Sequence, residues 1–360
     1  MATTTYGVNA PEAVKLWSRK LAREALKQTW ASKFMGSDSN SLCQVHDDLS
    51  KGPGDRIRTV LRMQLSGDGV QGDGTLEGNE EALVTYTDDF LINQLRHAVR
   101  SGGKMTEQRI PFSVREEARM GLQDWWADRY DSWFMNQIAG NSAVTDTRYT
   151  GNNAATAPDS AHQIIANGMT TEVSLTATAS AQFTLSLVDQ AVLKARTLSP
   201  VIRPISTEAG MKYVMFITPE QHYDLRRNTN TLEWGDVQKA AMQGGNISDN
   251  PIFTGALGEY NGVILHESFR LPVLDSTGGS KIGRAVLCGA QAAIWGYGRD
   301  SGMTGRMSWV EELFDYKNQL GVSAGVIGGC KKTIYNSKDF STITMSAAHS
   351  ANAVTATGRA

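Results

Sequence analysis

Cysteine is scarce: Cys43, Cys288 and Cys330 are the three in 360 residues, far apart and without C-x-x-C spacing. That excludes a disulfide framework and a zinc knuckle and leaves three buried free thiols as the expectation. No stretch approaches the roughly 18 apolar residues of a membrane span, so no membrane partner is expected. Met1 to Tyr6 has neither a basic flank nor an apolar run, which predicts no secretory signal and a protein kept in a cytoplasm-like space. Excess charge is missing too. Lys and Arg total 35 against 37 Asp and Glu, a net charge of -2, so no global basic field draws the whole surface onto nucleic acid. There is no G-x-x-x-x-G-K-[ST] loop, and the six histidines show no H-E-x-x-H spacing.

Two catalytic signatures occur by letter and fail on context. Gly67-Asp68-Gly69-Val70-Gln71-Gly72 spells the dinucleotide fingerprint, with Asp88 at about the distance of a ribose-binding acid. That fold needs an apolar parallel strand before the motif and a helix opening inside it. Here the preceding strand alternates with arginines, and the glycines run on to Gly74 and Gly78. Gly321-Val322-Ser323-Ala324-Gly325 spells a nucleophile elbow, but Val326-Ile327-Gly328-Gly329 cannot continue as its helix, and Asp339 and His349 are the only acid and histidine downstream. Tight strand packing at glycine is the expectation there. His46-Asp47-Asp48 and His266-Glu267 lack converging ligands, and Asp68, Asp73 and Glu77 do not follow the EF-hand register. No catalytic residue, metal ligand or cofactor is assigned, and the chain is not expected to be an enzyme.

What is present suits assembly. Residues 9 to 30 read as a helix with Val14, Trp17, Leu21 and Ala25 on one face. Its other face, with Lys15, Arg19 and Arg23, is either a solvated face or a contact with DNA or a neighbouring subunit. From Arg56 to Leu65 apolar residues alternate with Arg56, Arg58 and Arg62, which predicts a strand with one wet face. A tip with five glycines and the acids Asp68, Asp73, Glu77, Glu80 and Glu81 follows, and Ala82 to Thr87 returns as a second strand. Together they make a long hairpin, expected to lie on another subunit because such hairpins are marginal alone. The acids and the three arginines are its candidate contacts.

Pro111 and the capping pattern Ser113-Val114-Arg115-Glu116 open a helix over about 113–139, stopping at Gly140-Asn141. Trp125, Trp126, Trp133 and Phe134 form an aromatic stripe on it, read as core and subunit contact. Another helix is expected from Leu185 to Leu198. Tyr213 to Ile217 reads as a buried strand, with Thr218-Pro219-Glu220-Gln221 opening a helix behind it. A further helix contains Trp234, Val237, Ala241 and Met242. Tyr260-Asn261-Gly262-Val263 carries a hairpin turn, and Ala285 to Cys288 looks like another buried strand.

This order of elements resembles the Hong Kong 97-type phage capsid fold, an α+β fold. Thr75-Leu76-Glu77-Gly78-Asn79-Glu80-Glu81-Ala82-Leu83 resembles the major capsid proteins of phage N-four and its relatives. Arg96-His97-Ala98-Val99, Gly102-Gly103-Lys104-Met105, Trp125 and Gly255-Ala256-Leu257-Gly258-Glu259-Tyr260-Asn261-Gly262-Val263 carry the same likeness, which covers roughly residues 5 to 340. The resemblance implies an N-terminal arm (1–50), an extended loop (51–88), a peripheral domain with a spine helix (89–200), an axial domain (201–308) and a return to the periphery with a C-terminal tail (309–360). It also implies hexamers and pentamers in an icosahedral virion shell around double-stranded DNA, held without sequence specificity. A portal protein at one vertex, scaffolding and decoration proteins, and assembly in the host bacterial cytoplasm belong to the same picture. The type fold can cross-link a loop lysine to a neighbour's asparagine, but no lysine occurs between Lys51 and Lys104, so covalent linkage through this hairpin is not expected and stability must come from noncovalent area or from a partner protein. A bacterial nanocompartment shell, filled with cargo protein instead of DNA, and a soluble α/β hydrolase of small oligomeric size are the alternatives.

Overall fold

A computed structural model describes residues 30–49, 55–62, 65, 67–111, 113–207, 210–227, 258–298 and 307–349. The expected helix over 9 to 30, with Lys15, Arg19 and Arg23, lies outside the described residues, as does the one containing Trp234. The strands used below are β1 (Cys43–Leu49), β2 (Arg56–Arg62), β3 (Thr85–Leu91), β4 (Asn93–Arg100), β5 (Gly210–Ile217), β6 (Gly258–Tyr260), β7 (Val263–Glu267), β8 (Lys281–Cys288), β9 (Ala293–Gly298), β10 (Ser308–Phe314), β11 (Gln319–Lys332) and β12 (Thr342–Ala348). The helices are α1 (Val114–Ala139), α2 (Leu185–Thr197) and α3 (Pro219–Arg227).

Two mixed sheets organise the chain. In the first, β1, β9, β11 and β10 lie in order with β4 also paired to β11. In the second, β12, β8, β5, β7 and β6 lie in order, extended by short strands. α1 packs between them: Trp126, Tyr130 and Phe134 share one core with Trp295 and Trp309 of the first sheet and Phe216 and Val286 of the second. At 26 residues the helix is a rod of about 39 Å. Its second half is buried almost all round, which explains why the aromatic stripe is so wide. A second core joins Val188, Ala191 and Val192 of α2 to Met215, Leu287 and Met345.

Local chemistry sets several boundaries as expected. α1 ends where Gly140 turns left-handed, at φ 63°, and Asn141 N donates to Asn136 O at 3.2 Å. A Cβ at Gly140 would sit 2.6 Å from Thr156 O, so glycine is required twice over. Thr218 caps α3 reciprocally: Gln221 N donates to its Oγ1 at 3.3 Å and Thr218 N to Gln221 Oε1 at 3.1 Å. The β6–β7 turn falls at Asn261-Gly262.

Three expectations need correction. Ser113 makes no side-chain cap; its carbonyl instead accepts from Glu116 N and Glu117 N at 3.1 Å each. Ser113 and Glu116 are exposed, where water satisfies what the capping box would. The hairpin strands run 56–62 and 85–91 instead of reaching Leu65 and starting at Ala82. The expected segments also do not coincide with the sheets. β9, from the segment assigned to the axial domain, belongs to the first sheet, whereas β12, from the returning segment, lies in the second. α2, from the peripheral segment, packs in the second core. Pairing partners far apart in sequence decide membership, and local pattern does not record them.

Candidate assembly surfaces

The hairpin is anchored at its base. β2 and β3 pair in register from Arg56–Leu91 to Arg62–Thr85, and at about 3.3 Å per residue they extend roughly 20 Å. Phe90, at the base, is 1% exposed and packs with Ile92 and Ile294. Gly296 makes the seat possible, because a Cβ there would meet the Phe90 ring at 2.6 Å. Polar ties close the base. Lys331 Nζ donates to Asp88 Oδ1 at 2.5 Å, and Asn152 and Asn153 donate to Leu91 O at 2.7 and 2.9 Å.

The expected contact arginines are partly engaged within this base. Arg58 grips Asp89 with two bonds of 2.6 and 2.9 Å, and Arg56 lies 3.7 Å from the same carboxylate. The bond from Arg58 holds the Asp89 carboxyl below its ordinary range and raises Arg58 in turn. Arg62 sits exposed at the far end of β2. The hairpin base thus rests on its own subunit, because Phe90 and Ile57 pack against Ile92 and Ile294 there.

The tip differs. Every described residue from 65 to 84 is exposed, including Leu65, Leu76 and Leu83 at 58%, 61% and 60%. Glu81 accepts from Gly67 N at 2.7 Å and Glu80 from Gly78 N at 2.8 Å, so these two acids shape the loop itself. Asp68, Asp73 and Glu77 are presented to the outside.

On α1 the stripe divides. Trp126, Trp133 and Phe134 are buried, whereas Trp125 is half-buried and stacks on His97 at 4.5 Å. Arg129 lies over the other side of the same indole, 4.8 Å away. Sequence reading missed Arg129, and with it Arg148, whose carbonyl accepts from Arg129 Nη1 at 2.7 Å. The two are 19 positions apart, with the end of α1 and an irregular segment between them, so no spacing rule brings them together.

The motifs set aside earlier are structural here. Ser323 lies mid-strand in β11 and donates to Val310 O at 3.3 Å. Asp339 pairs with Lys332, and His349 lies by Thr218, so neither meets Ser323. Gly67 to Gly72 opens no helix. The three cysteines are free and buried, and burial pushes the Cys43 thiol up to about 12. Among the described residues, no cluster of three His, Cys, Asp or Glu side chains is placed to hold a metal, and no helix is long and apolar enough to cross a membrane.

The model of the family described as phage capsid protein matches residues 5–351. The chain belongs to the phage capsid protein family. The major capsid protein of Pseudomonas phage KPP25 is 29% identical to it over 92% of this chain and 94% of its own. The capsid of Ralstonia phage GP4 is 30% identical, with a TM-score of 0.77 over 98% of this chain and 100% of that one. The cyanophage Pam1 capsid shares the fold at 20% identity, with a TM-score of 0.74 over 91% and 94% of the two chains. The family expected from the residues, the major capsid proteins of tailed phages, is the family found, and the fold is the Hong Kong 97 type. Nothing favours the nanocompartment or hydrolase alternatives.

Proposed function

We propose that copies of this chain close into the icosahedral shell of a tailed-phage virion around double-stranded DNA, as hexamers and pentamers, with a purely structural role. The observation that carries this reading is the hairpin, locked into its own subunit at Phe90 and exposed throughout its tip. A lever built this way has its free end available only to another molecule, and in a shell of identical subunits that molecule is a second copy. α1, the first sheet and the hairpin form the peripheral part in this proposal, and the second sheet with α2 and α3 forms the axial part. The DNA is held without sequence specificity, in keeping with the near-neutral chain. Assembly takes place in the bacterial cytoplasm, with a portal at one vertex and scaffolding or decoration proteins as further partners. Because no lysine lies between Lys51 and Lys104, shell contacts are noncovalent along the hairpin. Negative-stain microscopy of the expressed protein tests the proposal: shells, rings or hexamers are expected, and a uniformly small oligomer contradicts it.

A further inference from the structure

We propose that the acidic tip of one subunit's hairpin, Asp68 to Glu77, docks into an arginine pocket of the next copy, formed by Arg129 and Arg148 beside the base of that copy's own hairpin. The proposal rests on the shell reading above and names the receptor for the exposed tip.

The pocket is a cavity of about 280 Å³ lined by Asn93, Arg129, Trp133, Asp146, Arg148 and Asn152, among others, so two arginines stand against one carboxylate. Its chemistry is that of an anion site. Arg129 Nε is buried with no hydrogen-bond partner among the described residues, although Nη1 reaches the Arg148 carbonyl. Burial and the nearby Arg148 charge both push the Arg129 guanidinium down from its ordinary value, while Asp128 and Asp146 act in the opposite direction. Of those acids only Asp128 is paired with another cation among the described residues. Asp128 pairs with Arg270, and Asp146 Oδ1 accepts from Arg148 N at 2.8 Å as the cap of the short helix Thr147–Thr150. A carboxylate entering the pocket would meet the Arg129 guanidinium, with the Arg148 charge close by and amide side chains around them.

The tip supplies such carboxylates: Asp68, Asp73 and Glu77 are exposed, while Glu80 and Glu81 are turned back onto the loop. The chain's own pocket lies at the opposite end of the hairpin from its tip. Asn152, which lines the pocket, bonds Leu91 O at the hairpin base, and the tip lies beyond a paired ribbon of about 20 Å. The occupant is therefore another copy. A contact of this kind joins two different patches, so each copy gives a tip and receives one, which is the arrangement that closes rings.

Cross-linking the full-length chain tests this. Asp73→Cys and Arg148→Cys are placed in one chain, and assembled particles are oxidised with diamide; the native thiols are buried. A ladder of covalent oligomers on a non-reducing gel is expected. Assembled particles without a ladder, or a bridge confined within single chains, overturn the proposal. If the cysteine variant does not assemble, charge exchange decides the matter. Arg148→Glu alone, and Asp68→Lys with Asp73→Lys and Glu77→Lys, should each lower shell yield by about tenfold or more, and their combination should restore it. Absence of rescue overturns the docking, as does full yield from either reversal alone. A wild-type protein that never forms shells counts against the functional reading instead.

Discussion

Arg284 and Glu172 form a largely buried ion pair that ties the end of α1 to the second sheet. Arg284 Nη2 lies 2.6 Å from Glu172 Oε2, and its Nη1 donates to the carbonyls of Ala139 and Gly140 at 3.1 and 2.9 Å. Those carbonyls are left without helical partners at the end of α1, so the guanidinium satisfies them and complements the negative pole of the helix. Glu172 also accepts from Ser346 in β12 at 2.5 Å, which brings the second sheet into the same network.

Removing one member of this pair leaves a buried charge uncompensated. Arg284→Met should destabilise the subunit by about 3–5 kcal/mol, and Arg284→Met with Glu172→Gln by less. Urea denaturation of both variants checks the order. A single variant as stable as the wild type would show that the network does not join the two sheets energetically.

The aromatic rod should behave as core. Trp126→Ala and Phe134→Ala each leave a large cavity and should cost about 3–5 kcal/mol, with loss of soluble subunit. Trp125→Ala should cost clearly less, because Trp125 is half-buried between His97 and Arg129. Equal midpoints for all three variants would contradict the division of the stripe.

Burial raises the pKa of all three cysteine thiols. Since the thiolate is the reactive form, the native protein should not react with iodoacetamide at pH 8, and three equivalents should react after denaturation. Rapid labelling of native protein would place a thiol at the surface.

Ser323→Ala should leave particle formation unchanged, with a stability change within about 1 kcal/mol for its one bond to the Val310 carbonyl. The native protein should give no covalent product with a fluorophosphonate probe. Labelling that Ser323→Ala abolishes would restore a hydrolytic role.

Much of this fold was legible residue by residue. Glycine at 140, proline at 219 and Asn261-Gly262 each dictate a local conformation, so the ends of α1, the start of α3 and the β6–β7 turn fell where expected. The alternation from Arg56 placed the hairpin for the same reason. What was not legible depends on residues far apart in sequence. Nothing near Phe90 announces that Gly296, some two hundred residues on, leaves room for its ring, and so the hairpin was expected as a whole to lie on a neighbour. Likewise Arg56 and Arg58 read as contact residues until Asp89 came opposite them across the hairpin, and Arg129 and Arg148 share no motif. The family resemblance supplied the shell; geometry supplied which end of the hairpin is free.

The central claim is that the hairpin tip joins subunits while the base belongs to its own. Replacing Gly67 to Gly78 with a two-residue Asn-Gly turn removes the tip and leaves β2, β3 and Phe90 in place. Electron microscopy of this shortened protein, alongside circular dichroism of the same sample, is the direct test. The account predicts a folded subunit that forms no closed shells. Normal shells from the shortened protein would contradict it, and so would an unfolded subunit, which would place the tip inside the subunit's own core.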